Sequence, residues 1–92
     1  METKTRSFKL GRTLVTPNAQ ETLHPQDVLA AIRRHAACDW GDCCKADAEE
    51  NEFSLLEGFR LFSVYHDRAG TKFWIITEAD RSSTTILLPE DY

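Results

Sequence analysis

The second half of the chain alternates apolar and aromatic residues with short polar interruptions. FRLFSVYH and KFWIITE, at residues 59–66 and 72–78, are rich in aromatic and β-branched residues, and DRAGT between them contains the glycine of a hairpin loop. A second turn, ADRSS, precedes TTILLP, which ends at Pro89. This pattern predicts three antiparallel strands that follow one another as a meander.

The first half of the chain has the periodicity of helices. Residues 25–37 are predicted to form an amphipathic helix, because Pro25 suits a first turn and apolar residues follow at helical spacing: Val28, Leu29, Ile32 and Ala36. Thr16 and Pro17 begin a shorter helix that ends near Leu23. Two helices are therefore predicted before residue 38.

The segment CDWGD, residues 38–42, separates the second helix from a third one. We expect Asp42 to cap a helix over about residues 43–57, with Gly58 at its C-terminal end. The apolar residues of this third helix recur less regularly at helical spacing than those of the second helix. A tryptophan beside a glycine turn folds back onto apolar neighbours, so Trp40 is expected in the core.

These elements define an α+β fold in a single domain over residues 1–92. Two or three N-terminal helices are expected to pack on a C-terminal antiparallel meander of three to four strands, the fourth from Phe8 to Val15, with residues 1–6 disordered. Both faces of the predicted strands carry bulky side chains. One face is therefore expected to be partly open, for a protein partner or for a homodimer.

Charge and composition narrow the classes of protein. The net charge of -4 and the pI of about 5.3 argue against a general nucleic-acid binder, which needs a basic face. We find no signal-peptide core and no apolar run long enough to span a bilayer, so we expect a cytoplasmic protein without membrane contact. Three cysteines crowded into residues 38–44 do not form a disulfide framework.

A metal site is the first chemical hypothesis for this region. His35, Cys38, Cys43 and Cys44 have the right ligand types for zinc, but adjacent cysteines rarely converge on one ion. Small buried thiols are the favoured interpretation, and a thiol activated near a helix N-terminus remains open. The sequence predicts no metal and no cofactor.

Acid–base chemistry is the second hypothesis. His35, Glu52 and Arg81 are residue types that a metal-independent ribonuclease of barnase-like or RelE-like plan uses, with His35 as acid or base. The alternative is structural: His35 meets helix-end carbonyls and Arg81 lies in a turn. The polar loop TEADRS is the first surface to test for binding: Glu78, Asp80, Arg81 and Ser82.

The strings DWGD, ENEFSLLEGFRLFSVY and KFWIITEADRSSTTILLPEDY resemble a family of small bacterial proteins encoded on plasmids and other mobile elements, sometimes labelled type I restriction subunit M. The resemblance covers about residues 9–92 and brings no established activity. Family members carry H-x-x-G-D-W-G-D at the corner, where this chain has Cys38 at the usual glycine, which weakens the metal and thiol hypotheses. The polar residues shared with the family are His35, Asp39, Trp40, Asn51, Glu52 and those of the TEADRS loop.

Two functions are compatible with these features of the sequence. The first is an acidic accessory protein of a mobile element that acts by binding another protein, for example to modulate a host nuclease or defence system. The second is the ribonuclease, whose basic substrate groove the acidic composition disfavours. Whether the protein is an enzyme is left open by the sequence.

Overall fold

The computed structural model describes residues 7–92, so the expectation for residues 1–6 lies outside the described part of the chain. The elements are, in order, β1 (Arg12–Val15), α1 (Pro17–Thr22), α2 (Pro25–Ala36), α3 (Lys45–Glu57), β2 (Leu61–His66), β3 (Lys72–Thr77) and β4 (Ser83–Leu87). A 3₁₀ turn, Pro89–Asp91, follows β4. The predicted α+β class is confirmed.

The four strands form one mixed sheet in the order β1-β4-β3-β2. The antiparallel meander of β2, β3 and β4 is confirmed. The prediction of a purely antiparallel sheet is wrong, because β1 pairs in parallel with β4. The placement of the helices also differs from the prediction, because they follow β1 and form the start of the long crossover that a parallel pair requires.

The core lies between one face of the sheet and the helices α1 and α2. Ala19, Leu23 and Ala31 pack there against strand residues whose side chains share this face: Tyr65, Phe73, Ile75 and Ile86. We call this the helix-covered face. On the opposite face Trp74 packs edge-on against Phe62 and Tyr92. No helix among residues 7–92 is long and apolar enough to cross a membrane.

The prediction for the N-terminal end of α3 is wrong. Asp42 does not cap α3, whose N-cap residue is Cys44, without a side-chain hydrogen bond. The Asp42 carboxylate instead accepts a hydrogen bond from His66 at 2.8 Å, which ties the corner to β2. Gly58 ends α3 in the left-handed conformation with φ of 80°, as predicted.

The corner places Trp40 in the core, where only 7% of its surface is exposed, as predicted. Gly41 forms an isolated bridge with Val64 of β2, at φ of 71°. A Cβ atom at this position would collide with the carbonyl oxygen of Val64, so only glycine permits the approach. The segment is therefore a structural corner between α2 and α3.

Candidate functional site

A continuous chain of hydrogen bonds crosses the helix-covered face of the sheet. His35 of α2 is fully buried, with Nδ1 2.5 Å from the hydroxyl of Ser63 and Nε2 2.8 Å from the hydroxyl of Thr77. The Thr77 hydroxyl lies 2.8 Å from that of Thr84, which donates to the backbone carbonyl of Leu10 at 2.6 Å. The chain joins α2, three strands and the N-terminal segment.

The direction of every proton in this chain follows from its last bond. A carbonyl only accepts, so the single hydroxyl proton of Thr84 is used on Leu10, and Thr84 must accept from Thr77. Thr77 must then accept from Nε2–H of His35. The neutral imidazole accepts from Ser63 at Nδ1. His35 is thus fixed in the Nε2–H tautomer.

The electrostatics of His35 favour its neutral form. Burial, together with the nearby positive charge of Arg81, lowers the pKa of His35 from 6.5 to about 4. Both ring nitrogens are already hydrogen-bonded to the protein. Neither is available to a substrate in this conformation, although the residue type suits acid–base catalysis.

The three residues of the acid–base hypothesis do lie in one region, around Phe8 and Trp40. The Phe8 ring is 5.1 Å from the His35 ring and 6.2 Å from the Trp40 ring, between centroids. Glu52 accepts a hydrogen bond from the indole nitrogen of Trp40 at 2.8 Å, and the guanidinium carbon of Arg81 is 5.8 Å from the Phe8 centroid. This region is packed, and Phe8 occupies its centre.

Arg81 holds loop backbone together. Its guanidinium donates to four carbonyl oxygens, of Ser54, Phe59, Glu78 and Ala79, at 2.7–3.2 Å. Arg81 itself has φ of 61°, a conformation that this tight turn imposes. Three of these contacts involve Nη1 and one involves Nη2, so the Nη1 side of the guanidinium is committed to the protein.

The other residues of the TEADRS loop also make bonds within the protein. Glu78 pairs with Arg60 at 3.3 Å. Asp80 accepts from the backbone N–H of Ser82 at 3.0 Å, and hydrogen bonds from the Ser82 side chain and then from its backbone hold the pKa of the Asp80 carboxyl group below its usual range. Hydrogen bonds and an ion pair within the protein therefore explain why this loop is rich in polar residues.

Helix α3 has an inverted arrangement of side chains, which was not predicted from the sequence. Its buried residues are polar, Asn51 and Ser54. Its apolar residues Phe53 and Leu56 are 53% and 84% exposed, and Phe59, which follows the helix, is 52% exposed. The Phe53 and Phe59 rings stack at 5.8 Å. The signal in the sequence that could have indicated this arrangement was the irregular spacing of the apolar residues in this segment.

The buried residue Asn51 explains how such a helix stays attached. Its side-chain amide donates to the carbonyl of Phe62 at 2.5 Å, and its side-chain oxygen accepts from the Phe62 N–H at 2.9 Å. Asn51 thus satisfies the outer edge of β2 as a neighbouring strand would. Polar bonds, together with the partly buried Ala48 and Leu55, attach this side of the helix, and Phe53 and Leu56 on the other side are exposed to solvent.

Acidic residues surround the exposed apolar side chains of α3. Glu49, Glu50 and Glu57 are exposed and lie three or four positions from Phe53, on the same side of the helix. We call the surface formed by these three glutamates with Phe53, Leu56 and Phe59 the α3 face. It combines an apolar centre with an acidic border.

The cysteines show no arrangement typical of a metal site. Cys38 is buried and Cys44 exposed, and none of the three forms a disulfide. The Cys43 thiol donates to the carbonyl of Phe62 at 3.3 Å, and burial raises its pKa, which disfavours the reactive thiolate. Within residues 7–92, no three His, Cys, Asp or Glu side chains come together as metal ligands would.

Comparison of the chain with known protein families, with curated proteins and with solved structures finds no match.

Proposed function

We propose that this protein binds another protein through the α3 face. The partner is a segment that combines lysine or arginine with apolar side chains. The apolar side chains would cover Phe53, Leu56 and Phe59, and the cations would meet the surrounding glutamates.

The observation that supports this proposal is the inversion of α3. A helix on the surface of a domain ordinarily turns its apolar stripe inward. Here two polar residues are inside, while Leu56 is 84% exposed. Local departures from the rules of folding are concentrated at functional sites, and adjacent exposed apolar residues inside a polar border are typical of protein interfaces.

The charge of α3 supports a basic partner. The helix contains one lysine and five acidic residues, so its net charge equals the -4 of the entire chain. The rest of the protein is balanced. A field concentrated on one helix steers a cationic partner to that helix and raises the rate of association.

The resemblance to mobile-element proteins suggests the biological setting of the proposal. An element entering a cell meets host nucleases and defence complexes, which hold nucleic acid by basic segments. The α3 face offers negative charge and apolar contact to such a segment. Modulation of a host nuclease or defence complex is the form of binding that we propose.

The ribonuclease alternative is disfavoured by the geometry, although His35, Glu52 and Arg81 lie in one region around Phe8 and Trp40. His35 is fully buried, and both of its ring nitrogens bind protein hydroxyls. Arg81 is engaged by four carbonyl groups. Protein binding is therefore the function that the arrangement of side chains favours.

Selection from a random peptide library on the immobilised chain tests the chemistry of the partner. We expect the selected peptides to join basic and apolar residues. They should bind the double variant Phe53→Ala, Leu56→Ser about tenfold more weakly, because truncated central apolar contacts dominate interface energies.

Leu29→Ser is the control, since Leu29 is an exposed leucine of a different helix, α2. Binding by this variant should be unchanged. Peptides that lack cations, or that bind the double variant as tightly as the original chain, would exclude the α3 face as the binding surface. A library that yields no binders would also count against the proposal.

A further inference from the structure

The outer edge of β1 has unpaired backbone groups among residues 7–92. The N–H groups of Arg12 and Thr16 point to β4, where they donate to the carbonyls of Ser82 and Ile86. Because successive residues of a strand alternate, the N–H and C=O groups of Thr13 and Val15 point outward. No strand within the described range pairs with this side of β1.

The two edges of the sheet differ in protection. The β2 edge is closed by Asn51 and by the bridge from Gly41. Within residues 7–92 the β1 edge has no comparable cover, and Leu14 and Val15 are 42% and 40% exposed. Exposed edges pair with other chains unless they are protected. Beside β1, an apolar groove of about 290 Å³ opens toward α1 and α2, lined by residues that include Val15, Leu23, Val28 and Ile32.

We infer that β1 pairs with β1 of a second copy of this chain, antiparallel, about a twofold axis beside Leu14. Thr13 of each copy then lies opposite Val15 of the other. Since the backbone N–H and C=O groups of both residues point away from β4, the two pairs exchange four backbone hydrogen bonds. The result is a continuous eight-stranded sheet with an isologous interface.

Charge complementarity selects this register. It places Arg12 of one copy opposite Thr16 of the other, whose hydroxyl donates to the Asp91 carboxylate at 2.7 Å. The Arg12 guanidinium of each copy thus approaches the Asp91 carboxylate of the other copy, which gives two equivalent ion pairs related by the twofold axis. The two arginines remain about 13 Å apart along the strands, so their repulsion is screened. A shift by two residues places Arg12 opposite Leu14 and removes both ion pairs.

Local geometry limits the pairing to this short stretch. Pro17 has no N–H to donate, and Gly11 has φ of 66°, so the chain leaves the strand at both ends. A twofold axis normal to the sheet also keeps both helix-covered faces on one side. The two apolar grooves then face each other across the junction, which adds apolar burial to the four hydrogen bonds.

Sedimentation of the full chain over a range of concentrations tests this inference. We expect a reversible monomer–dimer equilibrium that Arg12→Glu weakens about tenfold, because the reversal acts at both symmetric ion pairs. Lys9→Glu makes the same change of charge at an exposed residue before the strand, and should leave the equilibrium unchanged. A monomer at every concentration, or equal weakening by both variants, would overturn the inference.

Cysteine cross-linking tests the register separately, in a Cys44→Ser background that removes the exposed native thiol. Leu14→Cys should give a covalent dimer under mild oxidation, because residues that face each other in a non-hydrogen-bonded pair lie within disulfide range. Arg12→Cys should not, because the two sites are too far apart. Cross-linking of Arg12→Cys but not of Leu14→Cys would exclude this register.

The double variant of the α3 face separates this inference from the proposed function. Phe53→Ala, Leu56→Ser should dimerise as the original chain does, because α3 lies at the opposite edge of the sheet from β1. Loss of dimerisation in that variant would place the self-contact on α3 instead, and would overturn the β1 pairing.

Discussion

At the scale of single residues, His35 illustrates how the same side chain serves stability in one context and catalysis in another. Its ring links Ser63 of β2 to Thr77 of β3, and the bonds continue to Thr84 of β4. A buried polar chain in which each member has its partner specifies one arrangement of the elements. Its dependence on the neutral imidazole makes that arrangement sensitive to acid.

The lowered pKa of His35 predicts a loss of stability in mild acid. The unfolded chain binds a proton at His35 near pH 6.5, whereas the folded chain does so only near pH 4. The contribution of neutral His35 to the unfolding free energy is therefore fully present above pH 6.5 and is lost as the pH decreases toward 4. The expected loss of unfolding free energy between pH 7 and pH 4 is about 3 kcal/mol, measured by urea denaturation.

His35→Gln provides the control for this prediction, because it has no group that titrates in this range. Its unfolding free energy should lack the His35 contribution to the slope between pH 6.5 and 4. Acidic residues with lowered pKa values, such as Asp27 at about 2 beside Arg68, lose their contribution only in stronger acid. Identical slopes in both proteins, or an NMR titration of the His35 ring with a midpoint near 6.5, would contradict the assignment.

At the scale of elements, α3 behaves as a side-chain substitute for a strand. Asn51 meets both backbone groups of Phe62, so the helix is attached by the hydrogen bonds that a fifth strand would make. Ordinary helices are attached by apolar burial, and α3 uses Leu55 and Ala48 for only part of its contact. The usual ranking of mutational costs should therefore be reversed within this helix.

Asn51→Ala should destabilise the protein more than Phe53→Ala does. The first change leaves the Phe62 N–H without its partner and the Phe62 C=O with only the weak donor of the Cys43 thiol, in a part-buried setting, at a cost of about 2 kcal/mol. The second removes an exposed ring and should change the unfolding free energy by about 0.5 kcal/mol. Chemical denaturation of the two variants measures both values.

Asn51→Asp refines the comparison, since it keeps the oxygen that accepts from the Phe62 N–H and lacks the donor to the Phe62 carbonyl. Its stability should fall nearly as far as that of Asn51→Ala, because a carboxylate oxygen then faces a carbonyl oxygen. If Phe53→Ala proved the more destabilising change, α3 would be an ordinary apolar helix, and the inverted arrangement would be refuted.

At the scale of the whole molecule, charge is segregated. The acidic excess lies on α3, and the remainder of the chain is electrically balanced. Long-range attraction of a basic partner should consequently depend on this one helix. The net charge read from composition alone does not distinguish such a concentrated field from a diffuse one.

Replacement of Glu49, Glu50 and Glu57 by glutamine removes three of the four net negative charges. The association rate of a basic peptide selected on the chain should fall by about tenfold at low salt and lose most of its dependence on ionic strength. Stopped-flow mixing at several salt concentrations measures both. Replacement of Glu21 and Glu90, exposed acids outside α3, should have little effect; an equal effect would show that only total charge matters.

The sequence predicted the elements that local signals determine. Proline and threonine marked the start of α1, Gly58 the end of α3, and alternating aromatics the meander. The parallel pairing of β1 depends on contacts between distant residues, which no local pattern encodes. The bonds of His35 likewise require three strands at fixed spacing. For α3, the irregular apolar positions were visible, but only the structure shows which side they occupy.

The pairing of β1 with β4 has a consequence for biosynthesis. Thr16 and Asp91 meet although they are 75 positions apart in the chain, so β1 is made early and must wait for almost all the rest before it finds its partner. Once β4 has been made, the side of β4 that faces β1 stays open until the two strands pair. A variant in which β1 is weakened would leave this edge of β4 exposed to aggregation. Pairing with β1 therefore moves the exposed edge of the sheet from β4 to the shorter strand β1, through which we infer that two copies meet.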